Sequence, residues 1–161
     1  MEELIISLGN FGAACALAFA AMGSALGTGA GGMAAVGAWK KCYAQNRAAP
    51  FMVIAFVGAP LTQTIYGMIL MNGIATAAAD SVAELSAEAM EFPVIAGLAM
   101  IGAGLFGGIA MGMSSWMQGR AAAGAADALA ETGKGFGNYL IVLGIVETVA
   151  LFVMIFIQAT L

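Results

Sequence analysis

LIVLGIVETVALFVMIF, residues 140–156, decides how the rest of the chain is to be read. Sixteen of its seventeen positions are apolar, Gly or Thr, and the exception is Glu147. A carboxylate inside such a run is costly in lipid, so it is kept either for function or as a protonated group bonded to a neighbouring helix. The other polar residues of the chain bear on that choice.

The 161-residue chain is 62% hydrophobic and 9% charged, with a mean hydropathy of +0.98. A soluble domain carries about a quarter charged residues. The polar surface here is too small to coat a water-soluble globule, which makes the membrane the solvent. Residues 4–39, 48–79 and 92–119 hold no charge, and residues 135–161 hold only Glu147. Each stretch exceeds the roughly 20 residues that a helix needs to cross the hydrocarbon. None alternates as a barrel strand does. The predicted fold class is an all-α, integral, multi-pass membrane protein with four transmembrane helices.

Met1-Glu2-Glu3 lacks the basic start of a secretory signal, and the apolar run after it is too long for one, so it is expected to remain as the first helix. Cys15 and Cys42 belong to that helix. They lie about 40 Å apart at 1.5 Å per residue, too far to bridge. A chain with no His and no Cys cluster has no zinc or iron site to offer, and no cofactor is expected.

Charge orients the spans. Lys40, Lys41 and Arg47 lie between spans one and two, and Arg120 and Lys134 between spans three and four. Asp80, Glu84, Glu88 and Glu91 fill the middle connection, and Glu2 and Glu3 begin the chain. The positive-inside rule puts the basic connections in the cytoplasm and both termini on the other side; Asp127 and Glu131 count for little in it. No basic face for nucleic acid is present.

The chain also reads as one hairpin written twice. GSALG (residues 23–27) resembles GIAMG (108–112) at an offset of 85. LTQT (61–64) resembles IVET (145–148) at an offset of 84, which pairs Gln63 with Glu147. Two tandem, parallel repeats follow, residues 1–80 and 81–161, the second carrying the Glu. Gly23, Gly27 and Gly31 recur every four residues, as do Gly104, Gly108 and Gly112. Small residues so spaced let another helix backbone come close in lipid. The GTGAGG stretch (27–32) lacks the preceding strand of a nucleotide-binding loop, so packing is the better reading.

Gln63 lies about as deep in its span as Glu147 in its own. Thr62 and Thr64 flank it, and Tyr66 follows on the same helical face. Pro60 donates no backbone hydrogen bond, which frees the carbonyl of Phe56. Together with Glu147 these groups make an oxygen cage for a small hard cation, or a hydrogen-bond network around a protonated acid.

Doubled hairpins, glycine-laddered helices, PLTQTIYG (60–67) and GIVETVALF (144–152) together resemble the proteolipids of rotary V-type ATPases. More narrowly they resemble subunit K of the prokaryotic V/A-type enzymes, over nearly the whole chain. The resemblance implies a homo-oligomeric rotor ring in a prokaryotic cell membrane, turning against a stator a-type subunit and joined to central-stalk subunits. It implies that Glu147 carries a transported sodium ion or proton, one per chain. For sodium it implies oxygens from Thr62, Gln63 and the Ala59 backbone carbonyl, with Tyr66 bracing the carboxylate and a Gln on the third span as a further ligand. The glycine ladder puts Met111 at that last place, whereas the spacing of QGRAAAG (118–124) to Glu147 puts Gln118 there. With that choice open, sodium stands only narrowly ahead of proton.

Two other classes compete. A small exporter, or one subunit of a channel, could use Glu147 as its coupling acid, although an exporter would more naturally carry its acid in the uncharged first span. A structural scaffold leaves a buried Gln and Glu at matching depths unexplained.

Overall fold

The computed structural model describes residues 1–86 and 93–161, so Glu88 and Glu91 of the expected acidic connection lie outside the described residues. Among the described residues five α-helices run in the order α1 (Glu2–Ala44), α2 (Val53–Gly58), α3 (Thr62–Ser86), α4 (Pro93–Thr132) and α5 (Phe136–Gln158), with a 3₁₀ turn, Ala59–Leu61, joining α2 to α3. Among the described residues there is no strand, and four helical segments are long and apolar enough to cross a membrane. The second of them is α2, the 3₁₀ turn and α3 taken together.

Charged residues mark the ends of these helices less well than expected. Lys40 and Lys41 lie within α1, Asp80 and Glu84 within α3, and Arg120, Asp127 and Glu131 within α4. The division expected between residues 80 and 81 falls inside α3, which continues to Ser86. At 43 residues α1 is about 65 Å long, roughly twice the hydrocarbon thickness. A charge shows where lipid gives way to water, and the helix runs on past it. Arg120 goes further against expectation: it is exposed on α4 two residues beyond Gln118, with Met117 Sδ 3.8 Å from its Nη1. A guanidinium at that depth needs its long stem to reach polar surroundings.

The helix ends follow from local chemistry. Glu2 and Glu3 in the first turn of α1 and Lys41 in its last complement the helix dipole. Asn46, at φ 54°, turns the chain out of α1, and the amides of Asn46 and Arg47 bond back to Tyr43 and Cys42 at 3.1 and 2.9 Å. Arg47 then reaches across to the last carbonyls of α4, on Ala130 at 3.2 Å and Glu131 at 3.4 Å. Lys41 pairs with Glu131 at the same end. Only Gly133, Lys134 and Gly135 link α4 to α5, and both glycines take the positive φ that such a tight turn requires.

The glycine ladder joins α1 to α4 within one chain. A Cβ at Gly104 would fall on the carbonyl of Gly12, one at Gly112 on that of Phe19, and one at Gly119 on that of Gly27. Gly12 thus faces Gly104 and Gly27 faces Gly119, ninety-two positions on in both cases, so the helices run parallel. Gly23 also meets Gly112, eighty-nine positions on, so the contacts lie one to two turns beyond the offset of 85 between GSALG and GIAMG. α3 packs on α1, and α5 on α4 and α3. Gly97 meets Leu8, and Gly73 meets Gln158, so both chain termini lie at one end of the bundle.

Among the described residues, two large apolar clusters, with a small third one of Ala38, Cys42 and Ala130, fill the interior. Ala16, Leu70, Met111 and Ala150 belong to the one nearer the termini. Ala35, Phe56, Ala122 and Leu143 belong to the one nearer the short loops, where Phe136 and Tyr139 pack on Phe56 at 5.3 and 6.2 Å between ring centroids. Gln63 of α3, Ser114, Ser115 and Gln118 of α4 and Glu147 of α5 come between these clusters.

Candidate functional site at the helix crossing

Pro60 lacks an amide hydrogen, and the backbone answers by tightening to the 3₁₀ turn before re-entering an α-helix at Thr62. Thr62 and Gln63 therefore occupy the first turn of α3. The carbonyls that bear on the site are those of Ala59 and Pro60, one turn later than the Phe56 carbonyl expected from the sequence. Thr62 Oγ1 lies 3.1 Å from the Ala59 carbonyl and 3.2 Å from Gln63 Oε1. Thr64, which flanks Gln63 in the sequence, is not among the side chains that meet here.

Gln63 and Gln118 are both 0% exposed. Gln63 Nε2 donates to Gln118 Oε1 at 2.8 Å. Gln118 Nε2 donates in turn to the Leu143 carbonyl at 3.0 Å and to Glu147 Oε2 at 3.3 Å. Tyr66 completes the chain by donating its hydroxyl to Glu147 Oε1 at 2.7 Å. Both carboxylate oxygens of Glu147 thus accept, one from each hairpin. Glu147 itself is half-buried and lies eleven residues from either end of α5.

The two candidates on the third span lie at different levels. Gln118 stands beside Glu147, and Met111 lies two turns away in the apolar cluster with Leu70 and Ala150. The ninety-two-residue register explains it, because Gln118 is level with Leu26 of α1, next to the touching pair Gly27 and Gly119.

Three further groups at the site escape a reading of the sequence. Ser115 Oγ donates to the Pro60 carbonyl at 2.6 Å and lies 3.3 Å from Ser24 Oγ. Ser114 Oγ donates to the Val146 carbonyl at 2.9 Å, one residue before Glu147. Their signal is the adjacent pair Ser114-Ser115 in an otherwise apolar window of α4. Gly27, one of the ladder glycines read from the sequence, adjoins them, since a Cβ there would stand 2.8 Å from Pro60 Cβ.

What the bonds link here is a series of polar groups, the Ala59 carbonyl, Thr62, Gln63, Gln118, Glu147 and Tyr66, in a layer with apolar residues above and below. Such a set suits a small hard cation, and equally suits an acid that binds and releases a proton.

Residues 94–157 match the family model of the ATP synthase C subunit.

No curated protein matches the chain. The family match runs from the first turn of α4 to the last turn of α5, so it contains Ser114, Ser115, Gln118 and Glu147 and leaves Thr62, Gln63 and Tyr66 outside. Together with the four long apolar helices, it supports an integral multi-pass membrane protein.

Proposed function

We propose that this chain is the rotor proteolipid of a V/A-type rotary ATPase, resembling subunit K, and that Glu147 carries the transported ion. The observation that carries the reading is the hydrogen-bonded series Gln63–Gln118–Glu147–Tyr66, which draws both hairpins onto one acid between two apolar clusters. An unpaired carboxylate at that depth costs about 2.5–3.5 kcal/mol on insertion scales, and these donors offset it while leaving the acid able to exchange its partner.

Sodium is the first choice of ion and proton the second. A sodium ion would draw on Thr62 Oγ1, the two Gln oxygens, Glu147 and the Ala59 carbonyl, with Tyr66 bracing the carboxylate. Carbonyls, amides and a hydroxyl grouped around one carboxylate leave little net charge once a monovalent cation enters, as a ring turning through lipid requires. Rotation against a stator a-type subunit would expose each Glu147 in turn, and the short-loop end would meet central-stalk subunits on the cytoplasmic side. Both termini would then face outward, from a prokaryotic cell membrane.

Transport by the reconstituted enzyme tests the assignment. Glu147→Gln keeps the size of the side chain and part of its hydrogen bonding, but can neither release a proton nor neutralise a cation. The ring is expected to assemble and ion transport to stop. Transport at the unaltered rate would remove Glu147 from the mechanism.

A further inference from the structure

Serine hydroxyls in membrane helices commonly bond back to their own helix one turn earlier. Ser115 does not. It is fully buried on α4, and its hydroxyl crosses to the carbonyl of Pro60 at 2.6 Å. Pro60 lies at the centre of the 3₁₀ turn, one residue after the Ala59 carbonyl and two before Thr62. Ser115 also shares a face of α4 with Gln118, three residues on, which holds Gln63 and Glu147. Gly27 of α1 closes the same layer from behind, leaving the turn no room to withdraw.

We infer that Ser115 is a positioning residue of the ion site. Its bond to the Pro60 carbonyl fixes where the 3₁₀ turn presents the Ala59 carbonyl and the Thr62 hydroxyl, and so sets cation affinity and size selection without touching the ion. The inference rests on the sodium reading above. Ser24 supplies the internal comparison: its Oγ lies 3.3 Å from Ser115 Oγ, it is as deeply buried, and its bond is to Ser115 rather than to the turn. Losing Ser24 therefore removes a buried hydroxyl while leaving the Ser115–Pro60 bond in place.

The test uses the purified full-length protein and a carbodiimide, which reacts with protonated carboxyl groups. The rate of labelling of Glu147 is followed against sodium and, separately, lithium concentration. In Ser115→Ala the sodium concentration giving half-protection is expected to rise about two- to tenfold, the range that one neutral hydrogen bond accounts for. The ratio of the sodium to the lithium value is expected to change as well. A general loosening of packing would weaken both ions together and leave that ratio alone. Ser24→Ala is expected to stay within about twofold of the unaltered protein for both ions. Should Ser115→Ala fail to assemble, Ser115→Cys keeps most of the volume with a weaker donor and is expected to move the same two quantities. Unchanged sodium and lithium curves in an assembled Ser115 variant, or equal shifts in the Ser24 variant, would overturn the inference. Absence of sodium protection in the unaltered protein would count against the sodium reading instead. Ser115 is then judged on the labelling rate itself, expected to be at least threefold faster in Ser115→Ala than in Ser24→Ala; equal rates would overturn its role.

Discussion

One methyl group added at Gly108 probes how α1 and α4 are held together. The Cβ of an alanine there would stand 2.7 Å from the carbonyl oxygen of Cys15 and 3.1 Å from Cα of Ala16. Packed heavy atoms rest at about 3.5–4.0 Å, so α4 must withdraw from α1 by something on the order of 0.5–1 Å. A gap of that size forfeits about a quarter to a half of each dispersion well, and each well is only ~0.1–0.2 kcal/mol deep. Summed over some tens of atom pairs along the ladder, the loss comes to about 1–3 kcal/mol, which is also the usual penalty of an overpacked core. Gly37 on α1 is the matched control, because an added Cβ there meets nothing within 4 Å. The higher helix propensity of alanine makes Gly37→Ala neutral or stabilising. Denaturant unfolding of the purified chain in mild detergent, followed by circular dichroism, compares the two. Gly108→Ala should unfold at clearly lower denaturant than the unaltered chain, and Gly37→Ala should not. If both variants unfold where the unaltered chain does, close backbone contact is not what joins these helices.

Other expected outcomes concern the site and the loop end. Tyr66→Phe removes the donor to Glu147 Oε1, a bond to a charged acceptor worth about 1.5–3 kcal/mol, so ion affinity measured by carbodiimide protection should fall at least tenfold with the fold intact. Gln118→Ala should weaken sodium protection of Glu147, whereas Met111→Leu should leave it unchanged; the opposite pair of results would return the third-span ligand to the glycine-ladder alignment. Arg47→Ala leaves the Ala130 and Glu131 carbonyls uncapped and should destabilise the short-loop end of α4 by about 0.3–1 kcal/mol, seen as faster amide exchange there.

The four spans are legible because a helix crossing lipid has to be apolar throughout, and no tertiary detail alters that requirement. The site is legible in part for the related reason that Gln63 and Glu147 are costly where they stand. Pro60 correctly marks a disturbed backbone, but the turn it produces offers the carbonyls of Ala59 and Pro60, which depends on how far the helix tightens. The register of α1 on α4 is not legible in the sequence because glycines recur along both helices, at Gly104, Gly108, Gly112 and Gly119 on α4. A slip of seven residues, two turns, leaves the small face looking the same, and only the facing pairs distinguish 85 from ninety-two. The same slip puts Met111 in competition with Gln118. Ser114 and Ser115 are illegible for a different reason. A serine hydroxyl costs little in a helix that can absorb it, so its presence raises no alarm, and its partner on another helix is a matter of packing.

Mapping carbodiimide adducts on the unaltered protein, with and without sodium, reads out both which acid binds the ion and which ion it binds. Purified protein would be treated near neutral pH over a range of sodium concentrations, digested, and read by mass spectrometry. One adduct per chain is expected, on Glu147, forming more slowly as sodium rises into the millimolar range. Labelling of Glu147 that ignores sodium at every concentration and pH would leave the acid as a proton carrier and contradict the sodium cage. A Glu147 that never reacts, with the label on Asp80, Glu84 or another exposed acid, would contradict the assignment of Glu147 itself.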